Sequence, residues 1–182
     1  MHEMTAANLR SAYGGESMAH MRYRTWSDKA EKEGYSNVAR LFRAIAFAEE
    51  VHANGHFSVL RRQGGAYGVA AGAGFGIGGT SQNLAGAIEG ETFEVNEMYP
   101  AFKAVAEAQG EKRAAHSFYY ALSAEKAHAA MYTKAKAAVN RGKDAKLGAI
   151  QICEVCGYTA EGKVPKACPV CKAKGNKFRA FE

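Results

Sequence analysis

The sequence predicts a mainly α protein: a four-helix bundle with a long crossover between its second and third helices, followed by a small four-cysteine metal module. Three observations carry this expectation. Alanine-rich stretches with apolar residues recurring at intervals of three and four fill most of residues 4–140, broken by Gly34, Gly110 and one glycine-rich segment. The pattern Ala-Glu-x-x-His occurs twice, at 48–52 and 124–128. All four cysteines fall between positions 153 and 171.

The first helix is expected over 4–33, where Leu9, Ala12, Tyr13, Glu16, Ala19, Tyr23, Trp26 and Ala30 mark one face and Gly34 ends it. The second runs from Asn37 to about Gln63, with Val38, Leu41, Phe42, Ile45, Glu49, His52, Phe57 and Leu60 facing inward. Residues 64–79 are uncharged and half glycine, which reads as a flexible crossover. Within it, 74–79 satisfies the letter of a dinucleotide-binding fingerprint, but that fingerprint has meaning only between a strand and a helix, and a helix precedes it here. Thr80 or Ser81 can cap a third helix that passes Glu97, kinks at Pro100 and reaches Gln109. A fourth helix follows from Glu111 to about Asn140. The expected division is a bundle domain at 1–141, a polar linker at 142–149 and a separate module at 150–182.

Composition sets the outer bounds. With 182 residues, 47% apolar and 23% charged, the chain suits one good core and a small appendage. No run approaches a membrane span, and the opening MHEMTAANLR lacks the layout of a secretion signal, so a cytoplasmic protein is expected. The net charge is +6, and residues 141–182 carry nine Lys/Arg against four Asp/Glu, or +5 of it. Such a basic end suits an acidic redox partner or nucleic acid, or is simply solvated.

A Glu and a His three apart on a helix share a face and can grip one transition-metal ion. A single instance is commonplace on solvated helices; the internal repeat makes it informative. Gly15-Glu16 matches Gly90-Glu91 at an offset of 75, and the two Ala-Glu-x-x-His stretches match at an offset of 76. Glu16 and Glu49 lie 18 and 15 residues from Gly34, and Glu91 and Glu125 lie 19 and 15 from Gly110. Each hairpin therefore holds its lone Glu level with its Glu/His pair, roughly 25 Å from the turn at about 1.5 Å per residue. One lone Glu from each of two helices and a Glu-x-x-His from each of the others is the ligand set of a di-metal carboxylate bundle. Glu16, Glu49, His52, Glu91, Glu125 and His128 are the candidate ligands. Glu94, three residues after Glu91, has no twin, because Ala19 holds the matching place. A spare carboxylate on one side suits a metal pair that needs different donors in different oxidation states.

Cys153-x-x-Cys156 and Cys168-x-x-Cys171, with eleven residues between the pairs, can close a tetrahedral site for zinc or a single iron. Some thirty residues need such a staple to fold. A zinc ribbon is the alternative to iron at this stage.

Taken together, Gly-Glu-Ser at 15–17 with Tyr23, Ala-Glu-Glu-x-His at 48–52, Gly-Glu-x-x-Glu at 90–94 with Met98-Tyr99-Pro100, Ala-Glu-x-x-His at 124–128 and Cys-x-x-Cys-Gly-Tyr…Cys-Pro-x-Cys resemble the rubrerythrins over nearly the whole chain. The resemblance implies a ferritin-like di-iron bundle with a rubredoxin-like iron module, reducing hydrogen peroxide to water with electrons entering through the cysteine site. It implies that Glu94 exchanges with His52 at one iron, and that Tyr23 and Tyr99 stand beside the metals as catalytic partners. It further implies a homodimer or higher homo-oligomer, with helices exchanged in some arrangements, in which one subunit's relay approaches the other's di-iron site. The expected electron donor is a rubredoxin or an NAD(P)H-dependent reductase; neither nucleic acid nor membrane is an expected partner. Two features depart from the pattern: the glycine-rich crossover, and Lys172 where such knuckles carry glycine, which predicts a strained second knuckle. A ferritin-type ferroxidase or iron store is the alternative function, and a zinc-ribbon protein with a purely structural bundle is a third.

Overall fold

Helix formation follows the interval pattern closely. The computed structural model describes residues 1–182 and contains α1 (Glu3–Lys32), α2 (Ser36–Val59), α3 (Thr80–Phe93), α4 (Tyr99–Ala108) and α5 (Lys112–Val139). In α1 the buried stripe is Leu9, Ala12, Glu16, Ala19, Tyr23, Trp26 and Ala30, and in α5 it is Ala114, Phe118, Ala121, Glu125, His128, Tyr132 and Ala135. Steps alternating between three and four keep one face toward the partner helices, the condition for bundle packing. Every candidate ligand of α1, α2 and α5 occupies such a stripe position, so the fold buries its carboxylates by construction. α1 and α2 form one antiparallel hairpin, and α3 and α4 pair with α5 to form the other.

The turns at 34 and 110 are closed by glycine in the left-handed region, at φ +84° and +70°. In both, the amide of the next residue reaches back to the last turn: Tyr35 to Ala30 O at 2.9 Å and Glu111 to Ala106 O at 2.8 Å.

α2 is shorter than the expected 37–63 and ends at Val59. Its inward residue in the last turn is His56, fully buried, whereas Phe57 is 59% exposed and stacks against Tyr13. The alternating steps from Glu49 reach 52 and 56, which is why position 57 turns outward.

The third helix is not kinked by Pro100 alone. Between α3 and α4, Glu94–Met98 forms a π turn in which Tyr99 N–H donates to Glu94 O, five residues back. One residue is inserted, so the stripe continues through Tyr99, Phe102 and Ala106 rather than one position earlier. Pro100 follows at the start of α4, where its missing N–H costs little.

The crossover is a strap pinned along α1, not a free loop. Ser11 Oγ donates to Ala70 O (2.9 Å), Trp26 Nε1 to Gly76 O (2.9 Å), and the Arg10 guanidinium lies 3.9 Å over the Tyr67 ring. α1 side chains thus satisfy carbonyls that a strap without secondary structure leaves unpaired. Its far end is held by Glu33, which accepts from Thr80 N (2.8 Å) and Thr80 Oγ1 (2.6 Å) at the start of α3. Strands β1 (Ile150–Cys153), β2 (Thr159–Glu161) and β3 (Phe178–Phe181) form one antiparallel sheet in the order β2-β1-β3.

The segment 142–149 is likewise packed. Asp144 accepts from the amides of Asn37 (2.8 Å) and Val38 (3.3 Å) at the start of α2, and Ala145 joins the main core with Ile150 and Ile152. Arg40 donates to Leu147 O and Phe181 O, and Arg179 stacks 3.8 Å over Phe47. The cysteine module is thereby seated against α2 and α5. No helix is long and apolar enough to cross a membrane.

Candidate metal centre

Six side chains converge in the middle of the bundle. Donor atoms of Glu16, Glu49, His52 and Glu125 lie within 4.8 Å of one another, and so do those of Glu49, Glu91, Glu125 and His128. The two sets share Glu49 and Glu125, the arrangement in which two carboxylates bridge two ions. None of the six residues is more than 3% exposed. Each imidazole turns Nδ1 to the carboxylates: His52 Nδ1 is 2.9 Å from both Glu49 and Glu125, and His128 Nδ1 is 2.6 Å from Glu125.

The electrostatics call for cations. Burial, then repulsion from Glu49 and Glu125, holds the carboxyls of Glu16 and Glu91 well above the usual carboxylate range. Burial works against charging His52 and His128, yet the surrounding carboxylates, Glu125 foremost, keep both imidazoles readily protonated. Moreover, three carboxylate oxygens (Glu16 Oε2, Glu49 Oε1 and Glu91 Oε2) are buried without a hydrogen-bond partner. Unsatisfied buried oxygens are costly; two dications between them would remove both penalties. This donor set fits a di-metal centre.

Two tyrosines hold the lone glutamates crosswise. Tyr23 O–H on α1 donates to Glu91 Oε1 at 2.7 Å, and Tyr99 O–H on α4 donates to Glu16 Oε1. Tyr23 lies seven residues after Glu16, whereas Tyr99 lies eight after Glu91; the inserted residue of the π turn makes the two equivalent.

Glu94 stands outside both four-residue sets. It sits on the π turn, where burial and then the charge of Glu16 raise its carboxyl pKa well above the ordinary value. It lines a groove of about 790 Å³ between the crossover strap and the helices, together with Ser11, Gly15, Arg22, Gly90 and Phe102. The structure thus places Glu94 beside the pocket and open to the groove.

The four cysteine sulfurs also lie within 4.8 Å of one another. Cys153 and Cys171 Sγ are 3.6 Å apart, as are those of Cys156 and Cys168. A tetrahedron with bonds near 2.3 Å has an edge of about 3.8 Å, whereas a disulfide would need about 2.05 Å. The bond from Cys156, with backbone amides behind it, lowers the Cys153 thiol to about 5. Lys172, at φ +64°, takes the left-handed position in the second knuckle that Gly157, at φ +75°, takes in the first. Its Nζ donates back to Pro169 O at 2.8 Å.

These geometries have close counterparts. The rubrerythrin family profile matches residues 7–136, and the profile of the rubrerythrin rubredoxin-like domain matches 151–179. The chain belongs to the rubrerythrin family. It is 48% identical to rubrerythrin-2 of Clostridium acetobutylicum, covering 98% of this chain and 97% of that protein. Nigerythrin of Nitratidesulfovibrio vulgaris is 32% identical over 97% of this chain and 86% of its own length. A solved structure of nigerythrin in a fully reduced, all-ferrous state superposes with a TM-score of 0.85 at 32% identity, covering 97% of this chain and 86% of that one. As in other rubrerythrins, the glutamate/histidine pocket and the four cysteines are iron sites.

The cysteine module meets the di-iron pocket within the same chain. His128 Nε2 is 2.7 Å from Thr159 Oγ1, and Thr159 O–H reaches Gly157 O at 3.1 Å. Gly157 lies so close to the other imidazole that a methyl group on it would stand 2.0 Å from His52 Nε2. Both histidines thus turn one nitrogen to the metal side and the other to the β1–β2 turn beside Cys156. Sequence reasoning missed this contact, and it missed His56, whose only signal was its place in the α2 stripe seven residues after Glu49.

Proposed function

We propose that this chain is a cytoplasmic peroxide reductase in which the cysteine module feeds electrons to the di-iron pocket. The observation that carries the reading is the contact of the β1–β2 turn with both ligand histidines. A store that only oxidises iron has no use for a one-electron site built against its ligands. Reduction of hydrogen peroxide to two waters takes two electrons and two protons, and the iron pair, when reduced, supplies both electrons at once. The protein's own groups do the rest. The groove above Glu94 admits a small neutral substrate, and buried carboxylates and tyrosines exclude bulk water and hold protons near the reacting oxygens. We assign Glu94 as the carboxylate that would enter the ligand set on the Glu16 side as the charge there changes, in the exchange with His52 that the family resemblance implies. The proposed electron entry runs across Gly157 and Thr159 of the same chain. The basic module surface suits an acidic donor such as a rubredoxin or a reductase domain.

An anaerobic mixing experiment tests this. Chemically reduced protein is expected to consume peroxide much faster than dioxygen and to recycle with added reductant. Equal or faster reaction with dioxygen, with oxidised iron accumulating in the protein, would favour the iron-storage reading instead.

A further inference from the structure

The two halves of the bundle differ at one buried position that the ligand set does not use. At the offset of 76 that pairs His52 with His128 and Tyr23 with Tyr99, His56 corresponds to Tyr132 and Ser117 to Leu41. In one half the polar chain stops: Glu91 binds Tyr23, and the neighbouring Tyr132 hydroxyl is buried with no partner, against Phe42. In the other half it continues. Tyr99 O–H donates to Glu16, His56 Nε2 lies 3.0 Å from Tyr99 Oη, and His56 Nδ1 lies 2.8 Å from Ser117 Oγ. Ser117 is half-buried on α5, so this chain runs from the metal pocket to the protein surface.

From this geometry we propose that Ser117, His56 and Tyr99 form a proton-delivery path into the Glu16 side of the di-iron pocket. The reading rests on the peroxide chemistry above, which consumes two protons among ligands that are themselves almost fully buried. The bond directions are consistent. Tyr99 has one proton, directed at the Glu16 carboxylate, so its oxygen accepts from His56 Nε2–H. A neutral imidazole then presents Nδ1 as an acceptor, and Ser117 O–H donates to it. Burial holds the His56 pKa down to about 3, in keeping with a neutral ring. All three donors point inward. A concerted shift takes one proton from a solvent hydronium at Ser117 Oγ, passes one to His56 Nδ1, moves the Nε2 proton to Tyr99 Oη, and sends the Tyr99 proton across to Glu16. The ring, left as the Nδ1–H tautomer, returns to the Nε2–H form before the next proton passes. One proton enters, one arrives, and no charge is left on the path. Glu94 borders the pocket on this same Glu16 side, so proton entry and substrate groove serve one end of the site. His56 and Ser117 are positioning residues acting through Tyr99.

Two measurements test the path. In the full chain loaded with zinc, which is diamagnetic, nitrogen-15 NMR is expected to show His56 as the neutral Nε2–H tautomer; an Nδ1–H or doubly protonated ring would reverse the chain and overturn the proposal. In iron-loaded, reduced protein, His56→Gln can keep both hydrogen bonds but cannot hand a proton on. Its single-turnover reaction with peroxide is expected to slow by about 100-fold, with iron content unchanged, and Ser117→Ala is expected to slow in the same sense. Tyr132→Phe, in the half without a path, is expected to react as the parent does. Parent-like rates in both His56→Gln and Ser117→Ala would refute the path. Should His56→Gln fail to load iron, Ser117→Ala and the tautomer decide. Failure of the parent protein itself to react with peroxide would instead remove the function on which the path rests.

Discussion

Glu94 shows how one residue can matter through what it lacks. It has no counterpart at Ala19, it stands outside both ligand sets, and it is carried on a π turn rather than an α-helical one. A carboxylate held beside a metal pair, with its pKa raised by burial and by Glu16, can be drawn in when positive charge in the pocket increases. Glu94→Ala is expected to retain its iron, because the six convergent ligands are intact, while peroxide turnover falls about 10- to 100-fold. Iron quantitation alongside peroxide consumption checks this; full turnover with full iron would remove any role for Glu94. His56 makes the complementary case: chemically ordinary in the sequence, it is set apart by Tyr99 and Ser117 on either side of its ring.

Among the elements, the β1–β2 turn and the crossover strap carry testable loads. Gly157 sits at positive φ and against His52, so Gly157→Ala strains the backbone and collides with the imidazole together. The module must shift outward to relieve the clash. The expected outcome is a cysteine-iron absorption spectrum like the parent's, with electron transfer from module to pocket slowed at least about tenfold, read by stopped-flow reduction of the oxidised protein. A parent-like rate would mean that the contact does not carry electrons. The strap's anchor gives a pH signature. Hydrogen bonds from Thr80, aided by Lys29, lower the Glu33 carboxyl from 4.5 to about 2. Because the folded value lies below the unfolded one, its stabilisation is fully present above about pH 4.5 and is lost as the pH falls toward 2. Denaturant titrations of the parent and Glu33→Gln should therefore differ at neutral pH and converge across that acid window. A difference independent of pH would reassign the effect to packing.

For the whole molecule, the salient feature is that the module is seated on the bundle rather than tethered to it. Asp144 caps α2, Arg40 holds Leu147 and Phe181, and Ile150 and Ile152 belong to the bundle's own core. Losing the module's metal should thus uncouple electron supply from the pocket's own chemistry. Cys168→Ser is expected to keep bundle iron and a single peroxide turnover after chemical reduction, while steady-state turnover with a protein electron donor drops to background. Undiminished steady-state turnover would show that electrons reach the pocket by another route.

Much of this was legible in the chain because helical periodicity converts spacing into facing. Steps of three and four determined the stripes of α1, α2 and α5, and with them the placing of Glu16, Glu49, His52, Glu125 and His128. Paired Cys-x-x-Cys knuckles determined the second site, since four thiolates at that spacing have few other uses. Even the π turn left a trace: the repeat offset changes from 75 to 76 between the lone glutamates and the Glu/His pairs, one residue being inserted after Glu91. That slip reads as an insertion only once Tyr99 is seen to be the equivalent of Tyr23. Periodicity is local, however, and carries nothing about partners far apart in the chain. The meeting of His52 with Gly157, of His128 with Thr159, and of His56 with both Tyr99 and Ser117 was decided by tertiary packing. So was the exposure of Phe57, and so was the course of the strap, whose backbone groups find donors only once α1 lies beneath them. The sequence by itself determined which groups can bind metal; the packed structure decided how electrons and protons reach them.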